Sequence, residues 1–154
     1  SPESELDQTP TLSAIQSIQS YLNTYPQSKR VEESNSIIRE LRKKLEVKAY
    51  QNALFFYNAK NYKSAIQALG NFEKDYPDSD FMEEVSFKKL ETSYEMAMQS
   101  VMSKQTARLK ETISFYEEFK AKFPNTTYSK EVENIYASSQ KKIEEIKNLD
   151  KKDN

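Results

Sequence analysis

One glycine, Gly70, serves all 154 residues. Tight β-hairpin turns need residues at positive φ, which glycine supplies without steric cost, so this chain cannot close the many hairpins of a β fold. Helices make no such demand. No glycine or proline falls between residues 27 and 69, a stretch long enough only for helix. The fold read from the sequence is all-α.

The prolines then divide the chain. Pro26, Pro77 and Pro124 sit in three similar phrases, "SYLNTYPQSK" at 20–29, "NFEKDYPDSD" at 71–80 and "EFKAKFPNTT" at 118–127. Aligned on these prolines, Ile15, Ile66 and Ile113 fall in register, as do Ile18, Leu69 and Tyr116, then Tyr21, Phe72 and Phe119, then Tyr25, Tyr76 and Phe123. Steps of three and four residues trace the apolar stripe of an amphipathic helix. The prolines are 51 and 47 residues apart, which makes this an internal repeat of helical units. Proline disfavours the α region for the residue before it, so Tyr25, Tyr76 and Phe123 end their helices. Ser28, Ser79 and Thr126 follow, each placed to cap the next helix through its hydroxyl. The phrase is a stop, a corner and a start.

This reading predicts six helices, over 11–24, 28–59, 62–75, 80–102, 106–122 and 127–148. Residues 1–10 and 149–154 are expected to fray, leaving one domain over 11–148. The second helix is unusually long, with the stripe Val31, Ser34, Ile38, Leu41, Leu45, Ala49, Ala53, Phe56. The fourth is expected to bury Phe87, Leu90, Tyr94, Ala97 and Val101, and the last Tyr128, Val132, Ile135, Ser139, Ile143 and Ile146.

Composition narrows the chemistry. The chain has no cysteine and no histidine, which removes thiolate nucleophiles, disulfides and the commonest general base and metal ligand. Glu32-Glu33, Glu83-Glu84 and Glu117-Glu118 are sequence neighbours, and neighbours on a helix diverge by about 100°, so they do not converge on a metal or a proton. No catalytic residue, metal site or cofactor is expected. A formal net charge of −1 gives no global attraction to nucleic acid.

Residues 49–77 resemble a tetratricopeptide repeat: Ala53 as the small residue of the first helix, then Phe56, then "NYKSAI" for the turn and second helix, Ala65 at the crossing, and Pro77 closing the unit. Lys60 stands where such repeats usually carry a turn glycine. The implied architecture is an α-α superhelix of tetratricopeptide-like helical hairpins with extended first helices. The ending Tyr-Pro-Asp-Ser after "AIQALGNFEKD" is similar to repeats of cell-envelope lipoproteins. Together with "ELDQTPTLSAIQSIQSYLNTYP", "LRKKLEVKAYQNALFFYNAKNYKSAI" and "SYEMAMQSVMSKQTARLKETISFYEEF", it most resembles the later repeats of the BamD family. The stretch 100–112 is taken as a loop insertion, and with the long second helix it separates this family from other envelope tetratricopeptide adaptors.

That resemblance implies a non-enzymatic scaffold of outer-membrane β-barrel assembly. Such a protein sits on the periplasmic face of the outer membrane, binds the POTRA domains of a BamA-like protein, and alongside it other assembly lipoproteins. Membrane attachment in the family runs through a lipidated N-terminal cysteine, which this sequence lacks; the chain is expected to be a fragment carrying the later repeats. The alternatives are another envelope adaptor of this type or an accessory domain of a larger enzyme.

Two features of the second helix are candidate partner contacts. With Ala53 and Phe56 inward, Tyr50, Leu54 and Tyr57 face the groove, where aromatic side chains make good anchors. Alternatively, the extended preceding helix covers them. Arg39 and Arg42, beside Lys43 and Lys44, form a basic cluster suited to an acidic partner, although i,i+4 pairs such as Glu40–Lys44 fit a plain solvated face. The loop around Met102–Arg108 is a further place where contacts could sit.

Overall fold

The computed structural model describes residues 2–24 and 30–153, with side chains from residue 9 onward within those ranges. Its elements are α1 Pro2–Thr24, α2 Val31–Asn58, α3 Tyr62–Asp75, α4 Met82–Met98, α5 Met102–Lys122 and α6 Ser129–Lys152. The described residues contain no strand. They form two compact units, Ser1–Asn52 and Ala53–Asn154, with the boundary inside α2.

In the first unit, α1 takes in residues 2–10, which the sequence reading left outside the first helix. Pro2 is its first residue, a position where a missing N–H costs nothing, and Pro10 lies in its interior at the expense of one hydrogen bond. Ile15 is buried, while Ile18 and Tyr21 are half-buried. On α2, Ile38 and Leu45 are buried, and Glu32 and Glu33 occupy the first turn, where carboxylates favour the positive helix end. The first copy of the corner, Tyr25-Pro26-Gln27-Ser28, lies outside the described residues.

The second unit is a run of helical hairpins. Here α3 packs on α4, α4 on α5 and α5 on α6, with α4 also touching α6. Short connections make successive helices antiparallel. Phe87, Leu90, Phe119, Val132 and Ile135 form the core, with Tyr94, Phe115, Tyr116, Phe123 and Tyr128 packed around it. The rings of Phe87 and Tyr128 stack at 4.1 Å. Each such side chain contributes roughly 1.5–3 kcal/mol when fully buried.

Both described corners follow one path. Tyr76 and Phe123 cap α3 and α5 at φ −130, ψ 59 and φ −127, ψ 65, each N–H bonding the carbonyl four residues back, at Phe72 and Phe119. Their carbonyls accept the N–H groups of Ser79 and Thr126 at 3.0 and 3.2 Å, closing a turn around the proline. The pairs Phe72–Tyr76 and Phe119–Phe123 even repeat their ring spacing, 5.2 Å in each. Ser79 and Thr126 act one step earlier than expected. Each hydroxyl accepts the N–H two residues on, at Phe81 and Tyr128, both at 3.0 Å. They shape the turn before the helix; Phe81 and Tyr128 are the N-cap residues, without side-chain caps.

The end of α2 has a Schellman closure: Asn61 N–H bonds Phe56 O and Lys60 N–H bonds Tyr57 O, both at 3.1 Å. Lys60 sits at φ 56, the left-handed conformation that glycine adopts freely. The lysine at this turn therefore holds a glycine geometry.

The stretch 100–112 is not a loop insertion. Helix α4 stops at Met98, α5 begins at Met102, and only three residues join them. Nothing in 102–112 breaks a helix, and Leu109 and Thr112 are fully buried on its inner face. Val101, expected in the core, is 64% exposed because the chain has already left the helix there. Meanwhile Val85, Ser86, Thr92 and Ser93 are buried. A single stripe missed them because α4 is packed by α3 on one side and by α5 and α6 on the other. Helix α6 runs to Lys152, past the expected end at 148, with Lys151 and Lys152 favouring its negative terminus.

Candidate functional site

Within the first unit, α2 carries the basic cluster. Arg39 and Arg42 are exposed, as are Lys43 and Lys44. An ion pair joins Lys43 to Glu46 at 3.3 Å, spaced i,i+3 rather than the i,i+4 of the expected Glu40–Lys44 pairing. The other carboxylate oxygen of Glu46 is buried without a hydrogen bond. Glu40, Leu41, Lys43, Lys44, Val47, Lys48 and Gln51 line an open hollow of about 530 Å³. Lys43, Lys44 and Lys48 share this lining with Leu41 and Val47, and Glu40 is its one acidic residue; the balance suits an acidic segment carrying an apolar side chain. The sequence reading found the lysine run but not Leu41, Val47, Lys48 and Gln51 beside it. Their spacing along α2 was the available signal: positions 40, 44, 47 and 51 recur in steps of four, three and four.

Tyr50 is half-buried in this unit. The remaining candidates, Leu54 and Tyr57, belong to the second unit, where both are half-buried and Ala53 is fully buried.

Tyr57 is engaged within its own unit. Its hydroxyl donates to the Glu91 carboxylate on α4. The Lys88 ammonium stands 4.5 Å from the centre of its ring, and Lys88 also pairs with Glu84 at 3.6 Å. Burial, then the hydrogen bond to Glu91 and that carboxylate's charge, hold the phenol well above its ordinary pKa. The phenol is thus a protonated donor at neutral pH, and its polar end is committed to α4.

A second polar set joins α3, α4 and α5. Lys89 pairs with Glu73 at 2.5 Å, the Ser86 hydroxyl donates to Glu73 at 2.6 Å, and Lys89 lies 4.2 Å from the centre of the Phe115 ring. A third joins α5 to α6. The Tyr116 hydroxyl lies 2.8 and 2.9 Å from the two Glu133 oxygens, Lys120 pairs with Glu133 at 3.0 Å, and Tyr116 stacks on Tyr136 at 4.3 Å. In each set a carboxylate is met by a hydroxyl donor and a lysine stands close by, an arrangement that ties neighbouring helices together. Among the described residues, no group of three or more His, Cys, Asp or Glu is placed to hold a metal ion.

Compared with protein-family models and with curated proteins, the chain matches no family model and no curated protein.

Proposed function

We propose that this chain is a non-enzymatic interaction scaffold of outer-membrane β-barrel assembly, working on the periplasmic face of that membrane and binding the POTRA region of a BamA-like protein. The observation that carries the reading is the basic hollow on α2, with Arg39 and Arg42 exposed on the same helix. It offers an acidic surface both charge pairing and an apolar floor. The repeated proline corners and helical hairpins are the frame that the BamD-like phrases in the sequence imply. With 100–112 helical, the 28-residue α2 is the remaining feature that favours this reading over another envelope adaptor.

Titration calorimetry of the chain against purified POTRA domains tests the reading. Saturable binding is expected, weakened by added salt. The pair Lys44→Glu and Lys48→Glu should lower affinity at least tenfold, because charge reversal turns attraction into repulsion across the contact. A folded chain that does not bind, or binding indifferent to that reversal, overturns it.

A further inference from the structure

The chain has four methionines and no cysteine, so its only sulfur is thioether. Met82 opens α4, Met96 and Met98 lie at the end of that helix, and Met102 opens α5. Water reaches them unequally. Met102 is 55% exposed and Met98 37%, while Met96 is half-buried and Met82 only 8% exposed. A thioether in solvent accepts an oxygen atom from a peroxide, and one packed among side chains is shielded from it.

The turn that carries the exposed pair is held by other groups. Ser100 donates its N–H to Ala97 O at 3.1 Å and its hydroxyl to Met96 O at 2.5 Å. Arg108 donates to the Ser100 hydroxyl, and the buried Gln105 amide donates to Met98 O at 3.2 Å. The Lys104 N–H closes the first turn of α5 on Val101 O. These bonds use methionine carbonyls and leave the sulfurs out. A sulfoxide at Met98 or Met102 therefore adds a polar group where water already stands, at little cost to the fold.

Met82 is the opposite case. Its sulfur accepts the Ser86 hydroxyl at 3.5 Å, the same hydroxyl that donates to Glu73 at 2.6 Å. Glu73 in turn pairs with Lys89, so this sulfur sits beside the polar set that joins α3 to α4. Met82 borders a hollow of about 370 Å³ with Pro77 and Phe123, yet little of its own surface reaches water. An oxygen added to this sulfur crowds packed neighbours and makes a buried apolar group polar.

We infer that Met98 and Met102 form a reversible oxidation site for peroxides, at which the α4–α5 turn changes from apolar to polar without unfolding. In the step, the sulfur lone pair attacks one oxygen of hydrogen peroxide. An S–O bond forms, the O–O bond breaks, and the departing hydroxide takes the proton of the transferred oxygen and leaves as water. Sulfur loses two electrons and the peroxide gains them. Methionine sulfoxide reductases restore the thioether with two thiols, which become a disulfide while the oxygen departs as water. The site stands independently of the partner assigned to α2.

Treatment with hydrogen peroxide, quenched with catalase at intervals and read by tandem mass spectrometry of proteolytic peptides, tests this. Met98 and Met102 should gain oxygen at least about tenfold faster than Met82, with Met96 between them. In guanidinium the four rates should converge, because the shielding is a property of the fold. Chains carrying oxygen at Met98 and Met102 alone should keep the parent's thermal midpoint. They should also lose both oxygens to a mixture of the two epimer-specific reductases with dithiothreitol. The M98L/M102L variant, a swap of similar volume, should stay folded and lack the fast uptake. Met82 reacting as fast as Met102 in the folded chain overturns the inference. So does a midpoint that falls with the Met98 and Met102 oxygens alone, or oxygen there that the reductases do not remove.

Discussion

Ser93 on α4 and Thr112 on α5 share a hydrogen bond of 2.8 Å between two side chains that are almost wholly buried. Thr112 also lies 3.1 Å from the Arg108 carbonyl, so the crossing of the two helices is a small polar node in an apolar interior. Removing either hydroxyl leaves the other short of a partner. Ser93→Ala and Thr112→Val should each cost about 1–2 kcal/mol in urea unfolding, and the double variant less than their sum. Strict additivity would show that the two hydroxyls do not interact.

The opposite sign is expected at Ser139 on α6. Its hydroxyl is fully buried and makes no hydrogen bond. Ser139→Ala removes an unpaired polar group from the interior and should leave stability unchanged or raise it by about 1 kcal/mol. A clear loss of unfolding midpoint would contradict that.

Lys60 holds a left-handed backbone that costs a side-chain-bearing residue about 1–2 kcal/mol. Lys60→Gly relieves that cost against a smaller loss of unfolded-chain entropy, for a net gain of roughly 0.5–1 kcal/mol. A thermal midpoint that falls instead would show the lysine side chain to be stabilising the turn.

The two corners differ in what their hydroxyls reach. Thr126, buried, donates to Glu83 at 2.7 Å as well as accepting the Tyr128 N–H, whereas Ser79 is only half-buried. Thr126→Val should therefore destabilise by about 1–3 kcal/mol, more than Ser79→Ala. Equal losses would mean that the Glu83 bond contributes nothing.

Alkaline pH acts on Tyr116. Burial, followed by the hydrogen bond to Glu133, pushes its phenol up to about 12. The folded state favours the protonated form, so this contribution is whole below the unfolded value of about 10 and lost as pH rises from there through 12. Glu133 moves the other way, lowered by the bonds from Tyr116 and then Lys120. Its contribution is present above the ordinary carboxylate range and lost as pH falls through its depressed value. Tyr116→Phe should remove one late-titrating phenol from the ultraviolet titration and raise the Glu133 pKa in an NMR titration. An unmoved Glu133 would refute the pairing.

Much of this architecture is legible in the residues. The bounds of α3 follow from Pro77 and the stripe Leu69, Phe72, and the inner line of α6 from Val132, Ile135, Ser139 and Ile146. What escapes is burial on more than one face: Ser86 and Ser93 look like surface residues until Glu73 of α3 and Thr112 of α5 are known to meet them. The small residue at the α3 crossing, Ala65, has its counterpart in Thr112, twelve residues before the next proline. The neighbouring Ile66 and Ile113 are the more conspicuous match in sequence, yet both are only half-buried. The α4–α5 connection is three residues long rather than an insertion, because 100–112 departs from the repeat pattern in sequence while obeying helical periodicity through Gln105, Leu109 and Thr112. On α2 the lysines were visible, but the hollow they line was not, since it depends on how Leu41 and Val47 lie between them.

The two described corners make residues 47 positions apart equivalent as joints. A splice from Asp75 and Tyr76 directly onto Pro124 would enter α6 through the same backbone path by which the present chain enters α4. Gene duplication or loss of one 47-residue segment then changes the number of hairpins without inventing a new way to stop or start a helix. Chain length in such a protein is a countable variable, adjusted one hairpin at a time.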